Sequence, residues 1–217
     1  MQRLRFDGVA RQLAEIGRRF YARGWALGTS GNFSAVVARK PLRLAITASS
    51  VPKGALTARD ILQCDERGQV IGRKGRPSAE TLLHVEVVRL RGAGAVLHTH
   101  SVWSTMLSES WGAALTIEGY EMLKGLAGVA SHDHREVVPI LDNDQDMARL
   151  AGRVAQTLDS HPAAHAFLLR RHGMYTWGET LADAERHVEI LEFLFEVVAR
   201  TGAAADPGRK QGGPSWQ

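Results

Sequence analysis

Apolar residues recur at helical spacing over 9–24 (VARQLAEIGRRFYARG), and the run stops at Gly24, a residue that readily closes helices. A turn-rich stretch, Gly28-Thr29-Ser30-Gly31-Asn32, breaks the pattern, and the period then shortens. The runs 33–38 (FSAVVA) and 43–48 (RLAITA) flank the Lys40-Pro41 turn and predict two short strands. A second loop, 49–54 (SSVPKG), precedes Thr57-Ala58-Arg59-Asp60, where hydroxyl and carboxylate three positions apart match a capping box. Ser78 is the expected cap of a helix over 79–91, ended by Gly92-Ala93-Gly94.

Further on, 95–100 (AVLHTH) predicts a strand, 102–110 and 119–127 predict helices, 136–140 (EVVPI) a strand, and 145–159 a helix. Strands are expected at 166–170 and 174–177, on either side of His172-Gly173. The last helix opens on a second box, Thr180 to Asp183, and carries the stripe Leu181, Ala184, Val188, Leu191, Phe195, Val198. From 202 to 217 the chain turns small and polar, which predicts a disordered tail behind one domain over 1–201. Hairpin-like strands with interspersed helices predict an α/β domain of the α+β type, its sheet mainly antiparallel and its helices packed on the faces.

A chain of 217 residues buries a core without staples, and 44% apolar with 23% charged residues excludes wholesale disorder. The single cysteine, Cys64, rules out an intramolecular disulfide framework and fits a reducing cytoplasm. No apolar run reaches membrane-spanning length, and the first twenty residues lack a signal-peptide pattern. A net charge of +4 is spread along the chain rather than gathered in a stripe, so nucleic acid is not the expected partner. An affinity for small anionic metabolites is.

The nine histidines say more. His98 and His100 are two apart on an expected strand, so both imidazoles leave one face while Thr99 leaves the other. Two imidazoles so placed can chelate one ion, and a catalytic zinc takes three protein ligands with one position open. His172, at the end of another apolar strand, is the natural third ligand. His132 and His134 repeat the spacing in a charged segment with no expected strand, so they are set aside. His84, His161, His165 and His187 fall on or beside expected helices and receive no role. Two carboxylates, Glu80 and Glu121, are candidates for moving a substrate proton, and spacing alone places neither in the site. In the loops 28–32 and 49–53, Gly31 permits close backbone approach, Asn32, Ser49 and Ser50 offer short donors, and Lys53 brings charge. Such donors can cradle a phosphate.

In order, GTSGN, TASSVPKG, RPSAE, RGAGAVLHTHS, EGYEMLKG, VVPILDN and RRHGMYTWGETLADAERH resemble the class II aldolase/adducin superfamily over roughly 9–200. The resemblance implies a three-layer αβα sandwich, a zinc ion on His98, His100 and His172, a phosphorylated ketose as substrate, and a homotetramer with sites at subunit junctions. EGYEMLKG and RRHGMYTWGET resemble a dehydrating branch, in which Glu121 matches the general acid/base. Asn32, Thr47, Ala48 and Ser78 fall where the superfamily's aldolases hold the phosphate. Glu80 matches the aldolases' own acid/base and metal neighbour. Their PSSE motif reads PSAE here, so Ala79 removes one hydroxyl and leaves more of the phosphate to Ser49, Ser50 and Lys53. Carbon–carbon cleavage on Glu80 is the rival reaction, and a non-catalytic scaffold, as in relatives lacking the histidines, is the rival without chemistry.

Overall fold

The short runs FSAVVA and RLAITA fold as the hairpin β1 (Asn32–Arg39) and β2 (Leu42–Thr47), paired antiparallel with Ala35 opposite Ala45. A computed structural model of the chain describes residues 2–202; the tail expected from 202 onward lies outside them, except for Gly202. The hairpin belongs to an eight-stranded sheet ordered β3-β2-β1-β4-β8-β7-β6-β5. The other strands are β3 (Ile61–Cys64), β4 (Ala95–Thr99), β5 (Ala114–Glu118), β6 (Arg135–Leu141), β7 (Ala166–Leu169) and β8 (Gly173–Gly178). Every pairing is antiparallel apart from β6 with β7. The expected mainly antiparallel sheet is therefore found.

Helices cover both faces, giving the three layers. On one side α1 (Gln2–Ala22), α3 (Val102–Ser110) and α5 (Leu181–Thr201) bury Leu13, Phe20, Leu107, Val188 and Phe195 against Phe33, Leu97 and Leu168. On the other, α2 (Thr81–Arg91) and α4 (Met147–Ser160) bury Leu83, Val87, Val154 and Leu158 against Val96, Phe167 and Tyr175. Cys64 is buried and unpaired. Among the described residues no helix is long and apolar enough to cross a membrane.

Both predicted capping boxes form. Thr180 and Asp183 cap α5, whose C-terminus closes on left-handed Gly202, whereas Thr57 and Asp60 cap only a single 3₁₀ turn, Ala58–Asp60. Helix α2 begins two residues later than expected: its cap is Glu80, and Ser78 accepts the Glu80 N–H from outside the helix. The helix expected over 119–127 is replaced. The chain leaves β5 at Glu118, turns at Gly119 with φ +80°, and makes a short 3₁₀ segment, Glu121–Gly125. Its apolar residues Leu123 and Leu126 still enter the core, which is why the pattern reads as helical.

Candidate functional site

Strands β1, β4 and β8 are neighbours at the centre of the sheet, and their ends bring the chemistry-bearing residues together. His98 pairs with Asn32 on one side and Tyr175 on the other. Gly31 and Gly173 make this approach possible. Gly31 has φ +74°, and a Cβ there would come within 2.7 Å of the His98 carbonyl oxygen. A Cβ on Gly173 would collide with the Thr99 carbonyl oxygen, so the residue after His172 must be glycine for β8 to close on β4. Among the described residues only Ser50 (φ 62°) and Arg171 (φ 55°) are non-glycine residues at positive φ. Ser50 lines the cleft and Arg171 precedes His172, so strain of roughly 1–3 kcal/mol each is held where the site is shaped.

His98 and His100 leave one face as their spacing predicts, and His172 meets them there. Nε2 of His98 and Nε2 of His100 are 2.7 Å apart, and the His172 ring lies edge-on to both, 5.0 and 4.5 Å away between centroids. Glu80 joins them: its carboxylate oxygens stand 3.5 Å from His98 Nε2 and 3.4 Å from His172 Nε2. Burial holds the His98 pKa well below the usual histidine value, lowers His172, and lowers His100 to about 3. The rings are therefore neutral at physiological pH. Since Nδ1 of His98 lies 2.9 Å from the Met174 carbonyl oxygen, it carries the proton, and the bare Nε2 lone pair faces the cluster. Neutral ring nitrogens converging with a carboxylate within 4.8 Å of one another are a donor set that fits a divalent metal ion.

Surrounding contacts fix the cluster. The Tyr175 ring stacks on His98 at 3.9 Å and on Phe167 at 4.8 Å, an arrangement worth roughly 0.5–1.5 kcal/mol per pair beyond burial. Thr99 leaves the opposite face, as expected, and donates to Glu192 of α5 at 2.7 Å. Burial raises that carboxyl to about 7. Glu80 receives the Asn32 amide, Asn32 in turn faces His84, and His84 Nδ1 lies 2.7 Å from Ser34 Oγ. Sequence reasoning gave His84 no role, yet it is fully buried behind the cluster. One signal was available: His84 follows Glu80 by four residues, the spacing that puts two side chains on one helical face.

The cleft in front has a volume of about 330 Å³ and is lined by Gly31, Asn32, Ser49, Ser50, Lys53, Ser78, Glu80, His100 and His172. The loop residues singled out for phosphate are thus gathered beside the histidines. Lys53 does more than bring charge. Its Nζ donates to the carbonyls of Thr29 (2.9 Å) and Val51 (3.1 Å), tying the two loops, and burial lowers its pKa to about 8. Asn143 and Gln145, between β6 and α4, and Met147, the first residue of α4, also line the cleft. Asn143 ends the VVPILDN motif, but nothing in that turn-like run placed it, Gln145 or Met147 there.

Glu121 is not among the residues lining this cleft. Its side chain is 74% exposed, bound to Lys124 at 2.6 Å and 3.8 Å from His132. His134, set aside for lack of a strand, stands just before β6 in a second cluster with buried Glu136 and half-buried His165, apart from the residues lining the cleft.

Comparison with known proteins agrees with this geometry. A family model described as "Class II Aldolase and Adducin N-terminal domain" matches residues 11–199. The methylthioribulose-1-phosphate dehydratase of Methylococcus capsulatus is 48% identical over 197 residues, 90% of this chain and 95% of that protein. The enzyme of the same name from Pseudomonas syringae is 46% identical over 192 residues, 88% and 93% of the two chains. Among solved structures, L-fuculose-1-phosphate aldolase from Thermus thermophilus superposes with a TM-score of 0.71 at 27% identity, covering 91% of this chain and 95% of the other. YgbL from Escherichia coli, described as "a putative aldolase/epimerase/decarboxylase", gives 0.74 at 25%, covering 95% and 96%.

Proposed function

The chain belongs to the class II aldolase and adducin family, and we propose that it is a hydro-lyase of methionine salvage converting 5-methylthioribulose 1-phosphate to 5-methylthio-2,3-dioxopentyl 1-phosphate. The observation that carries the reading is the agreement of relatives at 44–48% identity and near-complete coverage on one activity. The cleft supports it, because a metal-capable histidine set stands beside donor-rich loops sized for a small phosphorylated ketose.

Zinc is the ion we assign to His98, His100 and His172, as neutral imidazoles suit it. Bound there, zinc supplies Lewis acidity to the substrate's C2 carbonyl and so acidifies the C3 proton. Ser49, Ser50, Ser78, the Gly31–Asn32 turn and the charge of Lys53 hold the phosphate and so fix C3 in front of Glu80. Glu80 is the one carboxylate among the lining residues, and Asn32 orients it to accept the C3 proton. The electron pair left at C3 expels the C4 hydroxyl, which departs as water once protonated, and tautomerisation gives the diketone. Glu121 is the acid for that departure. Because it lies off its own chain's cleft, we infer that Glu121 of a neighbouring copy is inserted, in a cytoplasmic homotetramer.

The aldolase reading has one observation in its favour, the placement of Glu80 inside the cleft. Incubation of the zinc-loaded protein with methylthioribulose 1-phosphate and with fuculose 1-phosphate separates the two. Product lighter by one water from the first substrate and none from the second is expected; cleavage to dihydroxyacetone phosphate overturns the proposal.

A further inference from the structure

The chain between β5 and β6, residues 119–134, carries Glu121 and is pinned at Ala127 by two imidazoles. The Ala127 N–H donates to His187 Nε2 at 3.0 Å, and the Ala127 carbonyl lies 2.8 Å from His165 Nε2. His187 has its other nitrogen 2.7 Å from the Trp177 carbonyl oxygen, so it is a neutral ring with one proton, on Nδ1. His165 differs. Its Nε2 faces a carbonyl, which only accepts, and its Nδ1 lies 2.8 Å from Oε2 of Glu136, also an acceptor. Both contacts are hydrogen bonds only if both ring nitrogens carry protons. Glu136 is 1% exposed and takes two further N–H groups, the His165 backbone at 2.9 Å and His134 Nε2 at 2.8 Å, as an ionised carboxylate does.

From this donor count we infer that His165 is a positioning group: its imidazolium, held between Glu136 and Ala127, fixes the segment that presents Glu121, and losing the proton frees that segment and slows turnover. The inference rests on the role proposed for Glu121. Burial alone would lower the His165 pKa, but the hydrogen bond and charge of Glu136 outweigh it and raise it. Glu136 would be raised by burial, and its bonds to His165 and His134 lower it instead. The groups facing His165 are Glu136 on β6 and His134 just before it, His187 on α5 with Arg186 and Asp183 beside it, and Arg91 on α2, whose charge opposes the proton. A raised histidine contributes stability fully below its ordinary 6.5 and loses it as pH rises through the folded value. A lowered glutamate contributes above its ordinary 4.5 and loses it on acidification. The segment is held best between those limits.

Imidazole nitrogen NMR on the full-length, zinc-loaded protein reads the proton directly and needs no variant. His165 should be doubly protonated at neutral pH and titrate above free histidine. Glu136→Gln should lower that midpoint, speed amide exchange over 119–130, and reduce kcat by about 10- to 100-fold, the scale of a displaced catalytic group, with KM and zinc content unchanged. A singly protonated His165 at neutral pH overturns the inference. So does a second metal equivalent that His134→Ala removes, which would make the cluster a metal site, and so does unchanged kcat despite faster exchange. Wild-type turnover in Glu121→Gln would instead refute the proposed role of Glu121, and the NMR and exchange results, read without substrate, tell the two failures apart.

Discussion

Nε2 of His84 faces the side-chain oxygen of Asn32, whose amide nitrogen stands 2.5 Å from Oε2 of Glu80. The directions of these bonds follow from one another. Asn32 gives its N–H to a carboxylate, so its oxygen must accept, and His84 must donate from Nε2. Burial lowers the His84 pKa to about 3, leaving a neutral ring whose bare Nδ1 takes the Ser34 hydroxyl at 2.7 Å. Ser34 and His84 thus set which way Asn32 points, and Asn32 sets Glu80.

His84→Ala should leave Asn32 free to turn over and Glu80 without its donor. Turnover is expected to fall by about 10- to 100-fold, as for other residues that orient a ligand or base. His84→Gln, which can still donate toward Asn32, should be the milder variant. Steady-state kinetics on preparations of equal metal content checks this; equal loss in both variants would point to packing alone.

The metal assignment predicts about one zinc per chain by elemental analysis. His100→Ala should remove both zinc and activity while circular dichroism stays native, and a chelator should lower the melting temperature because the ion binds only the folded cluster. Loss of zinc in a His132→Ala/His134→Ala double variant would place the ion in the wrong cluster.

Lys53 gives a pH-dependent prediction. Its folded pKa of about 8 lies below the ordinary 10.5, so the folded protein binds fewer protons than the unfolded chain between those values. Stability from this group therefore rises with pH across that window, as the cost of burying the charge is relieved. Phosphate binding runs the other way, since neutral Lys53 no longer attracts an anion. KM should rise above pH 8 with kcat little changed, and Lys53→Met should have a high KM that no longer varies there. A KM flat across pH 7–10 in the natural protein would remove Lys53 from phosphate binding.

Period-two spacing made His98 and His100 legible, because side-chain direction on a strand is fixed by parity alone. The fold was legible where an element carried its own boundary signal, as the Thr180–Asp183 box does for α5. It failed at 119–127, where EGYEMLKG has a helical spacing of apolar residues but Gly119 needs a positive φ and Gly125 packs against Ile190. Strand β5 escaped because ALTIE is a short edge strand between weak turn signals. The networks behind the site were illegible for a different reason. His84 reaches Asn32 across 52 positions and His165 reaches Glu136 across 29, and no local pattern encodes which helix packs on which strand.

The two glutamates give the sharpest test of mechanism, because the proposal assigns each a different proton. Glu80 lines the cleft and takes the proton from C3; Glu121 lies off it and, from a neighbouring copy, protonates the leaving C4 hydroxyl. In deuterium oxide, Glu121→Gln should still exchange the C3 hydrogen of methylthioribulose 1-phosphate while losing water about 10²–10⁴ times more slowly, the usual contribution of an acid/base group. Glu80→Gln should do neither. Its zinc content must match the natural protein's, since Glu80 stands 3.5 Å or less from two of the ligand nitrogens. Co-assembly then tests the shared site. If Glu80 of one copy works with Glu121 of another, mixed tetramers of the two inactive variants contain sites with both carboxylates intact and regain part of the activity. If both residues served within one chain, every site in the mixture would lack one of them and no activity would return. Exchange by Glu80→Gln but not by Glu121→Gln would reverse the assignment and make Glu121 the base at C3.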